Sequence, residues 1–395
     1  MKAPLKIALF IEQTSSHTRG IARGISLYAQ THGPWIFSAT QRLDNARFIA
    51  SPLDSFNHLE SDGIITYTRD EKLLQELIDS GRPVVNTTQT LTSIPNLPAV
   101  FTDDRETGQQ VADYFINKGF RDFAFCGSCQ CSSPCTIQRE IGFTERVKKD
   151  GFNISLFPPF DESPREIEWE KDHKKVISWI QSLPKPLALF TDSDSCGRIL
   201  ADICRELDIH VPEEIAIIGV NNDELICEFS NPHLSSVALA KEQVGFEAAA
   251  LLDRLIRKEP LPPQPVLVPP LGITTRRSSD VFAIKDSCVA KAMNFIYNHA
   301  GEPINVTDVL KEIPLCRRHL ETRFRKAINR SPYEEIRRAH VERAKKLLAE
   351  TNLPVDQIVE ASGFNETKNF YANFRKETGF SPIQYRKQFK IIAKQ

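Results

Sequence analysis

Polar side chains that could hold a small polar ligand follow the buried strands predicted for the first two thirds of the chain. In parallel sheets flanked by helices, ligands bind at the carboxyl ends of the strands, so the side chains found there are candidate binding groups. Guanidinium, carboxylate and amide groups form paired, charge-assisted hydrogen bonds with ligand hydroxyls. The candidates are Glu12, Ser16, Arg19, Asp103, Arg139, Asp192, Asn221 and Asn222.

Four cysteines could also do chemistry, because Cys126, Cys129, Cys131 and Cys135 lie within ten residues. The C-x2-C spacing suits tetrahedral metal or redox chemistry. The C-x-C and C-x3-C spacings that follow are unfavourable for a metal-binding loop, however, and no second C-x2-C pair comes after them. We therefore expect a metal-free protein without a cofactor, in which this segment leads from a strand to Arg139 and shapes the binding cleft.

No constellation typical of an enzyme is present. Gly20-x3-Gly24 lacks the third glycine and the downstream acid of a dinucleotide-binding motif. The chain also lacks a glycine-rich phosphate loop and a nucleophile elbow. We expect a binding protein that is not an enzyme. The alternative is a solute-binding protein or a sugar-converting enzyme with an incidental basic helical tail.

The cellular setting is indicated by the first strand and the cysteines. The apolar run within the first sixteen residues is too short for a secretory or membrane-spanning segment. The nine cysteines are odd in number and unevenly spaced, unlike a disulfide framework. We expect a cytoplasmic protein with reduced thiols and no membrane partner.

The elements that must position these residues alternate between apolar strands and amphipathic helices up to about residue 275. This alternation predicts an α/β fold with parallel sheets and helices on both faces. Its length exceeds one typical sheet domain, so two similar lobes are expected. The predicted strands are Leu5–Ile11, Gly63–Tyr67, Pro83–Asn86, Ala99–Phe101, Asp122–Cys126, Ser155–Phe157, Leu187–Phe190 and Ile215–Val220.

The last 110 residues differ in both charge and pattern. Residues 286–395 contain 20 basic and 13 acidic residues, whereas the preceding part carries a net negative charge. Two helix pairs, 307–313 with 316–327 and 355–361 with 365–376, have helix-turn-helix spacing. Gly363 supplies the left-handed turn of the second pair. A basic helical module on an acidic body is typical of a nucleic-acid-binding protein.

The module closely resembles the DNA-binding domain of the arabinose-regulator (AraC/XylS) family. The matching residues are Gly363-Phe364, Phe370-x3-Phe374-Arg375-Lys376, Thr378-Gly379-Phe380-Ser381-Pro382-x2-Tyr385-Arg386, Leu320-x3-Phe324-Arg325 and Arg343-Ala344-x2-Leu347-Leu348. Val359 and Ser362 depart from the family pattern, which bears on how tightly the second unit is packed. The resemblance implies that two recognition helices enter successive major grooves.

The resemblance also assigns residues to DNA. It implies base contacts from Arg318, Glu321, Thr322, Thr367 and Lys368, and phosphate contacts from Arg317, Arg325, Arg375 and Lys376. Tyr371 lies on the same outward face as the second group of base-contacting residues.

The α/β part resembles the effector core of the lactose/galactose-repressor family, which is similar to periplasmic sugar-binding proteins. The matches are Asp103-Asp104-x3-Gly108, Gly119-Phe120-Arg121-x-Phe123-Ala124-Phe125, Arg139-x2-Gly142-Phe143, Thr191-Asp192 and Val211-Pro212-Glu213-x5-Ile218-Gly219-x-Asn221-Asn222. This implies that Arg139, Asp192 and Asn221 bind sugar hydroxyls. Two features differ from that family: its N-terminal helix-turn-helix is absent, and Asn221 replaces the usual Asp.

The combination of both modules resembles the family of xylose-operon regulators along nearly the whole chain, including Arg19-x4-Gly24, Asn222-x-Glu224 and Val268-Pro269-Pro270. This implies a homodimeric activator of transcription that responds to an aldopentose such as xylose, with DNA and RNA polymerase as partners. The expected domains are a sensor over 1–277 (first lobe about 3–118 plus 240–262, second lobe about 121–237 plus 266–275), a linker over 278–285 and a DNA-binding domain over 286–395.

Overall fold

The computed structural model describes residues 4–11, 15–39, 61–68, 70–89, 94, 97–127, 133–157, 169–284 and 286–389. Of the residues singled out above, Glu12, Cys129 and Cys131 lie outside these ranges. The chain forms two compact units. The N-terminal unit comprises Met1–Asp113 and Asp122–Ser279, and the C-terminal unit comprises Tyr114–Arg121 and Asp280–Gln395.

Lobe one of the N-terminal unit is built on a parallel sheet with strand order β2-β1-β3-β4. Beside it, β5 and β11 form a parallel pair, and a bridge between Asn86 and Ala99 links β4 to the start of this pair. The strands are β1 (Leu5–Ile11), β2 (Trp35–Ala39), β3 (Gly63–Tyr67), β4 (Val84–Asn86), β5 (Val100–Thr102) and β11 (Val266–Val268). The helices are α1 (Ser16–His32), α2 (Glu71–Asp79) and α8 (Lys241–Ile256).

The helices of lobe one pack against its sheet because both bury apolar side chains at their contact. Ile7, Ile65 and Val85 of the sheet pack with Ile21 of α1 and Val244 of α8 in a single buried cluster. Burial of such branched side chains stabilises the lobe by about 1.5–3 kcal/mol for each residue.

Lobe two is built on a six-stranded sheet of order β12-β10-β9-β8-β6-β7, in which only the β10–β12 pair is antiparallel. The strands are β6 (Asp122–Cys126), β7 (Asn153–Leu156), β8 (Leu187–Thr191), β9 (Ile215–Val220), β10 (Ser235–Ala238) and β12 (Gly272–Thr274). Its helices are α3 (Asp104–Asn117), α4 (Pro134–Lys149), α5 (Trp169–Ser182), α6 (Asp194–Glu206) and α7 (Glu224–Phe229). Every residue of β8 and of β9 is buried, as expected for central strands covered on both faces.

The boundary between the lobes differs from the sequence-based division in two places. Helix α3 packs on α4 of lobe two, because Gly108 and Gly142 have no side chain and allow the two backbones to touch. Strand β11 pairs with β5 of lobe one, whereas β12 pairs with β10 of lobe two. The chain therefore crosses between the lobes near Asp103 rather than near Lys118, and 266–268 belongs to lobe one.

The C-terminal unit contains seven helices among its described residues: α9 (Ser287–Asn298), α10 (Val306–Lys311), α11 (Arg317–Ile328), α12 (Pro332–Glu350), α13 (Val355–Ala361), α14 (Thr367–Thr378) and α15 (Pro382–Phe389). Two apolar clusters form its core, one around Leu320 and Phe324 and the other around Phe370 and Phe374. No helix in the described part of the chain is both long and apolar enough to span a membrane.

Candidate functional site

A polar cavity of about 330 Å³ lies in the N-terminal unit, where the two lobes meet. Lobe one contributes the residues that follow β1 and β4 and the ends of β3 and β5. Lobe two contributes the starts of α3 and α4 and the loops after β8 and β9. This size is at the lower end of the range for small-molecule sites. Of the candidates predicted from the sequence, Ser16, Arg139, Asp192 and Asn221 line this cavity.

Arg139 is held by two buried aspartates beside the cavity. Its Nε and Nη2 donate to Asp104 Oδ1 at 2.7 Å each, and its Nη1 donates to the backbone oxygen of Asp192 at 2.5 Å. The guanidinium is almost fully buried. Burial, the largest effect, lowers the pKa of Arg139, but Asp104, Cys135 and Asp192 together raise this pKa overall, so the group stays charged. The cation has a fixed orientation before any ligand arrives.

The Asp192 carboxylate is oriented by two hydroxyls. Thr136 donates to its Oδ2 and Ser193 donates to its Oδ1, both at 3.1 Å. Thr136 lies one turn before Arg139 on α4, and both side chains line the cavity. Arg139, Asp192 and Thr136 therefore form one preorganised polar wall in lobe two.

Asn221 follows β9 on a strained stretch of backbone. Asn221 and Asn222 both have positive φ values, 104° and 45°. Asn is among the few residues other than glycine that tolerate this conformation. The N–H of Asn221 donates to Val237 of β10, and the N–H of Asn222 donates to Ser236 Oγ at 2.9 Å. The loop is thus fixed by the neighbouring strand.

Three further predicted binding residues, Arg19, Asp103 and Asn222, are not among the residues that line the cavity. Arg19 is exposed on α1 and is not among the residues that line the cavity. Asp103 is also outside the lining, and its Oδ1 accepts from the N–H of Glu106 at the start of α3. The buried Oδ1 of Asn222 has no hydrogen-bond partner among the described residues.

Several lining residues were not predicted. Asp104, which follows Asp103 directly, is the acid that reaches the cavity. Gln89 contributes a buried Oε1 that has no hydrogen-bond partner in the described part of the chain. His17 and Tyr67, both on the lobe-one side of the cavity, have ring centroids 5.6 Å apart. Asp104 and Gln89 carried a signal in the sequence, since each follows a predicted buried strand.

The two described cysteines of the cluster have different surroundings. Cys126 is buried in β6, whereas Cys135 lines the cavity with its Sγ 2.8 Å from Ser133 Oγ. Within the described ranges, no group of three or more His, Cys, Asp or Glu side chains could hold a metal ion.

The C-terminal unit presents two helices with a buried apolar stripe and an outward polar face. In α11, Leu320 and Phe324 are buried, and in α14 Phe370 and Phe374 are buried. The outward-facing residues are Arg317, Arg318, Thr322, Arg325, Thr367, Lys368, Tyr371, Arg375 and Lys376, which are exposed, and Glu321, which is half-buried. Both faces are rich in hydrogen-bond donors.

The helix-turn-helix geometry rests on specific turn residues. Gly363, between α13 and α14, has a φ of 77°, as the sequence predicts. A Cβ there would approach the His340 ring to 2.8 Å, so only glycine fits. Val359 is buried, and the buried Ser362 donates its hydroxyl to the Ile358 carbonyl, so both unusual residues are accommodated in the core.

Two of the exposed arginines are held in place by carboxylates. Arg317 Nε lies 3.0 Å from Glu321 Oε1, and Arg325 Nη2 lies 3.0 Å from Glu334 Oε2. Exposed pairs of this kind contribute little to stability, so breaking either of them costs little.

Comparison with known proteins supports both halves of this description. A model of the periplasmic binding protein-like domain matches residues 112–279, and a model of a helix-turn-helix domain matches residues 310–388. The xylose operon regulatory protein of Haemophilus influenzae is 30% identical over 387 residues, covering 96% of this chain and 98% of that protein. Its counterpart in Escherichia coli K12 is 29% identical over 386 residues, covering 96% of both. A solved structure of a xylose-binding transcription activator is 28% identical with a TM-score of 0.61, covering 99% of this chain and 100% of that one.

Proposed function

The chain belongs to the family of xylose operon regulatory proteins, and we propose that it binds an aldopentose such as xylose between its lobes and thereby controls its affinity for DNA. It is a sugar-responsive transcription regulator with a helix-turn-helix DNA-binding domain. One observation carries the proposal: a preorganised polar cavity and two basic recognition helices occur in the same chain. No catalytic role is proposed, because the family members it matches are regulators.

The cavity suits a small polyol. Arg139 supplies donors, Asp192 supplies acceptors, and the Asn221 amide supplies both, so vicinal hydroxyls that donate and accept at once can be satisfied. Ser16 adds a hydroxyl from lobe one. The buried Oε1 of Gln89 is an acceptor for a further ligand hydroxyl. A ligand that contacts both lobes favours the arrangement of lobes in which all these contacts form.

Each recognition helix is proposed to contribute both base contacts and phosphate contacts. We assign base contacts to Arg318, Glu321, Thr322, Thr367 and Lys368, and phosphate contacts to Arg317, Arg325, Arg375 and Lys376. These are the family's positions, and the side chains lie on the outward faces of α11 and α14. Tyr371 lies on the outward face of α14 beside the base-contacting residues.

We further propose that the protein acts in the cytoplasm as a homodimer that activates transcription through RNA polymerase. Leu225 and Phe229 on α7 leave 65% and 78% of their surfaces exposed. Large apolar side chains exposed together on one short helix are typical of a protein–protein contact. A second copy of the chain is the partner that a symmetric regulator needs to read two half-sites.

The test is isothermal calorimetry of the full chain with xylose, arabinose, ribose and glucose. The wild type should bind one of the pentoses best, and Arg139→Ala should weaken that binding by about 10- to 150-fold because a charged donor is lost. Arg146→Ala is the matched control, since Arg146 lies on the same helix but pairs with Asp113 and Asp150 instead. If the wild type binds none of the four sugars, the effector assignment is wrong.

A further inference from the structure

Helix α3 begins in one unit of the chain and ends in the other. The helix is continuous over Asp104–Asn117, whereas the first segment of the N-terminal unit ends at Asp113 and the C-terminal unit includes Tyr114–Arg121. At 1.5 Å per residue, a helix of 14 residues is about 20 Å long. A stiff element of this kind can carry a displacement from one unit into the other.

The first residues of α3 are fixed beside the sugar cavity. Asp104 lines the cavity and accepts two hydrogen bonds from the Arg139 guanidinium. Gly108 lies against the carbonyl oxygen of Arg139, and Gly142 of α4 lies in the same way against the carbonyl oxygen of Arg105, so a Cβ at either glycine would collide with backbone. A ligand that displaces Arg139 therefore displaces this end of α3 as well.

The other end of α3 closes with a glycine turn. Gly119 has a φ of 90°, and the N–H of Phe120 donates to the carbonyl of Phe115 at 3.1 Å. This is a common way for a helix to satisfy its last carbonyls. The carbonyls of Asn117 and Lys118 are left over and need donors from outside the helix.

Both of these carbonyls accept hydrogen bonds from residues of the C-terminal unit beyond Asp280. The N–H of Ala283 donates to the Lys118 carbonyl at 2.9 Å, and Arg330 Nη2 donates to the Asn117 carbonyl at 3.3 Å. A cation at the C-terminal end of a helix is also favoured by the helix dipole. Arg330 is the second residue after the end of α11, so its side chain joins α3 to the segment that follows a recognition helix.

Arg330 is itself oriented by a buried carboxylate. Its Nε donates to Glu335 Oε2 at 2.7 Å, and the Tyr297 hydroxyl donates to Glu335 Oε1 at 2.9 Å. Glu335 lies on α12 and is completely buried. Because a buried carboxylate needs such partners, Arg330 is held in the orientation that reaches Asn117.

Lys118 holds the same end of α3 with its side chain. Its Nζ donates to Asp280 Oδ1 at 3.1 Å and lies 4.1 Å from the centre of the Phe282 ring. The lysine is buried, and a contact between a cation and an aromatic ring is stronger when it is shielded from water. Phe282 belongs to the apolar cluster of Leu320 and Phe324. The residue that follows α3 is thus part of the packing around the first recognition helix.

We propose that α3 relays the state of the sugar site to the DNA-binding helices, and that Arg330 and Lys118 are positioning residues that hold its C-terminal end. Neither residue lines the cavity, and neither is part of α11 or α14. Sugar binding at Arg139 moves α3, and the two residues pass this movement to the segment after α11. This inference rests on the proposed sugar-binding function and adds the element through which the sugar acts on DNA binding.

The experiment measures a coupling factor for the full chain. This factor is the Kd for a selected DNA fragment without sugar, divided by the Kd with a saturating concentration of the pentose that the wild type binds best. Arg330→Met alone would leave the Glu335 carboxylate without its cation, so the test compares Glu335→Gln with the double variant Glu335→Gln/Arg330→Met. In Glu335→Gln the amide oxygen still accepts from Arg330, and the amide N–H can donate to the Tyr297 oxygen.

Glu335→Gln should keep the coupling factor of the wild type, because Arg330 still reaches Asn117. The double variant should lower the factor about tenfold, to a minimum of one, because a charged hydrogen bond to the end of α3 is lost. Lys118→Met keeps an apolar stem beside Phe282 but removes the charge, and it should lower the factor in the same direction. The Kd for the pentose in the absence of DNA should be that of the wild type in all three variants.

A purely structural role for Arg330 predicts weaker DNA binding with and without sugar at an unchanged coupling factor, and that result would overturn the inference. A second measurement needs no ligand: hydrogen exchange of the amides of residues 114–121 in the full chain. These amides should exchange about tenfold faster in the double variant than in Glu335→Gln, while those of β9 should not change. Equal exchange contradicts the inference even if no sugar binds, whereas failure of the wild type to bind a sugar contradicts only the proposed effector.

Discussion

Asp103 and Asp104 are neighbours with the same side chain and different roles. Asp103 is half-buried and accepts one backbone N–H at the start of α3, whereas Asp104 is buried against the Arg139 guanidinium. A buried charge that loses its partner is much more costly than a lost helix cap. Substituting each aspartate in turn therefore compares the same side chain in two different surroundings.

We expect Asp104→Ala to lower the free energy of unfolding by about 3–5 kcal/mol, because it leaves the buried Arg139 cation unpaired. Asp103→Ala should cost only about 1 kcal/mol. All three tryptophans, Trp35, Trp169 and Trp179, lie in the N-terminal unit, so urea titration followed by tryptophan fluorescence reports on this unit alone. Equal losses in the two variants would contradict the assignment of Asp104 as the partner of Arg139.

The sequence predicts the segments that border the cavity better than it predicts the individual side chains that line it. Arg139 and Asp192 follow the family pattern, Asn221 stands at the position where the family usually has Asp, and all three line the cavity. The choice between Asp103 and Asp104 depends on where a helix begins, to within one residue, which periodicity does not resolve.

At the scale of elements, the long buried strands were predictable and the short ones were not. β1, β3, β6 and β9 occur at the predicted residues, since each is a mainly apolar run of five to seven residues. β10 contains Ser235 and Ser236, which are fully buried only because their hydroxyls are hydrogen-bonded. Hydrophobicity cannot detect such a strand. β2, β11 and β12 were missed as well; β11 and β12 have only three residues each.

Substitutions in α11 can test the proposed base contacts and phosphate contacts separately. Arg318 lies in its first turn, whereas Arg325 lies near its end beside Glu334. We expect Arg318→Ala to weaken DNA binding by about 1–3 kcal/mol and to relax the preference at one base position. Arg325→Ala should weaken binding to all sequences alike and reduce its salt dependence.

Fluorescence anisotropy with a panel of single-base variants of a selected site, at several salt concentrations, measures both effects. The control is Lys346→Ala, an exposed cation on α12 that is outside the two recognition helices. A preference profile unchanged by Arg318→Ala would remove that residue from base recognition.

At the scale of the whole molecule, charge is divided between the two functions. The 110 residues from Asp286 onward carry 20 basic and 13 acidic side chains, whereas the full chain has a net charge of −1. The excess of positive charge thus lies in the part of the chain that contains the helix-turn-helix domain. Affinity for DNA should accordingly fall steeply with salt, while sugar affinity should not.

The central claim is that sugar and DNA binding are coupled in one molecule, and the most direct test is to measure this coupling in both directions. The Kd of the full chain for a DNA fragment chosen by binding selection is measured with and without saturating xylose, and the Kd for xylose is measured with and without that DNA. We predict that xylose tightens DNA binding by about 5- to 150-fold and that DNA tightens xylose binding by the same factor, as reciprocal linkage requires. At a xylose concentration that only just saturates the wild type, Arg139→Ala should lose most of the tightening of DNA binding while leaving sugar-free DNA binding intact. If xylose binds to the wild type but leaves its DNA affinity unchanged, the account of the protein as a xylose-responsive regulator is contradicted.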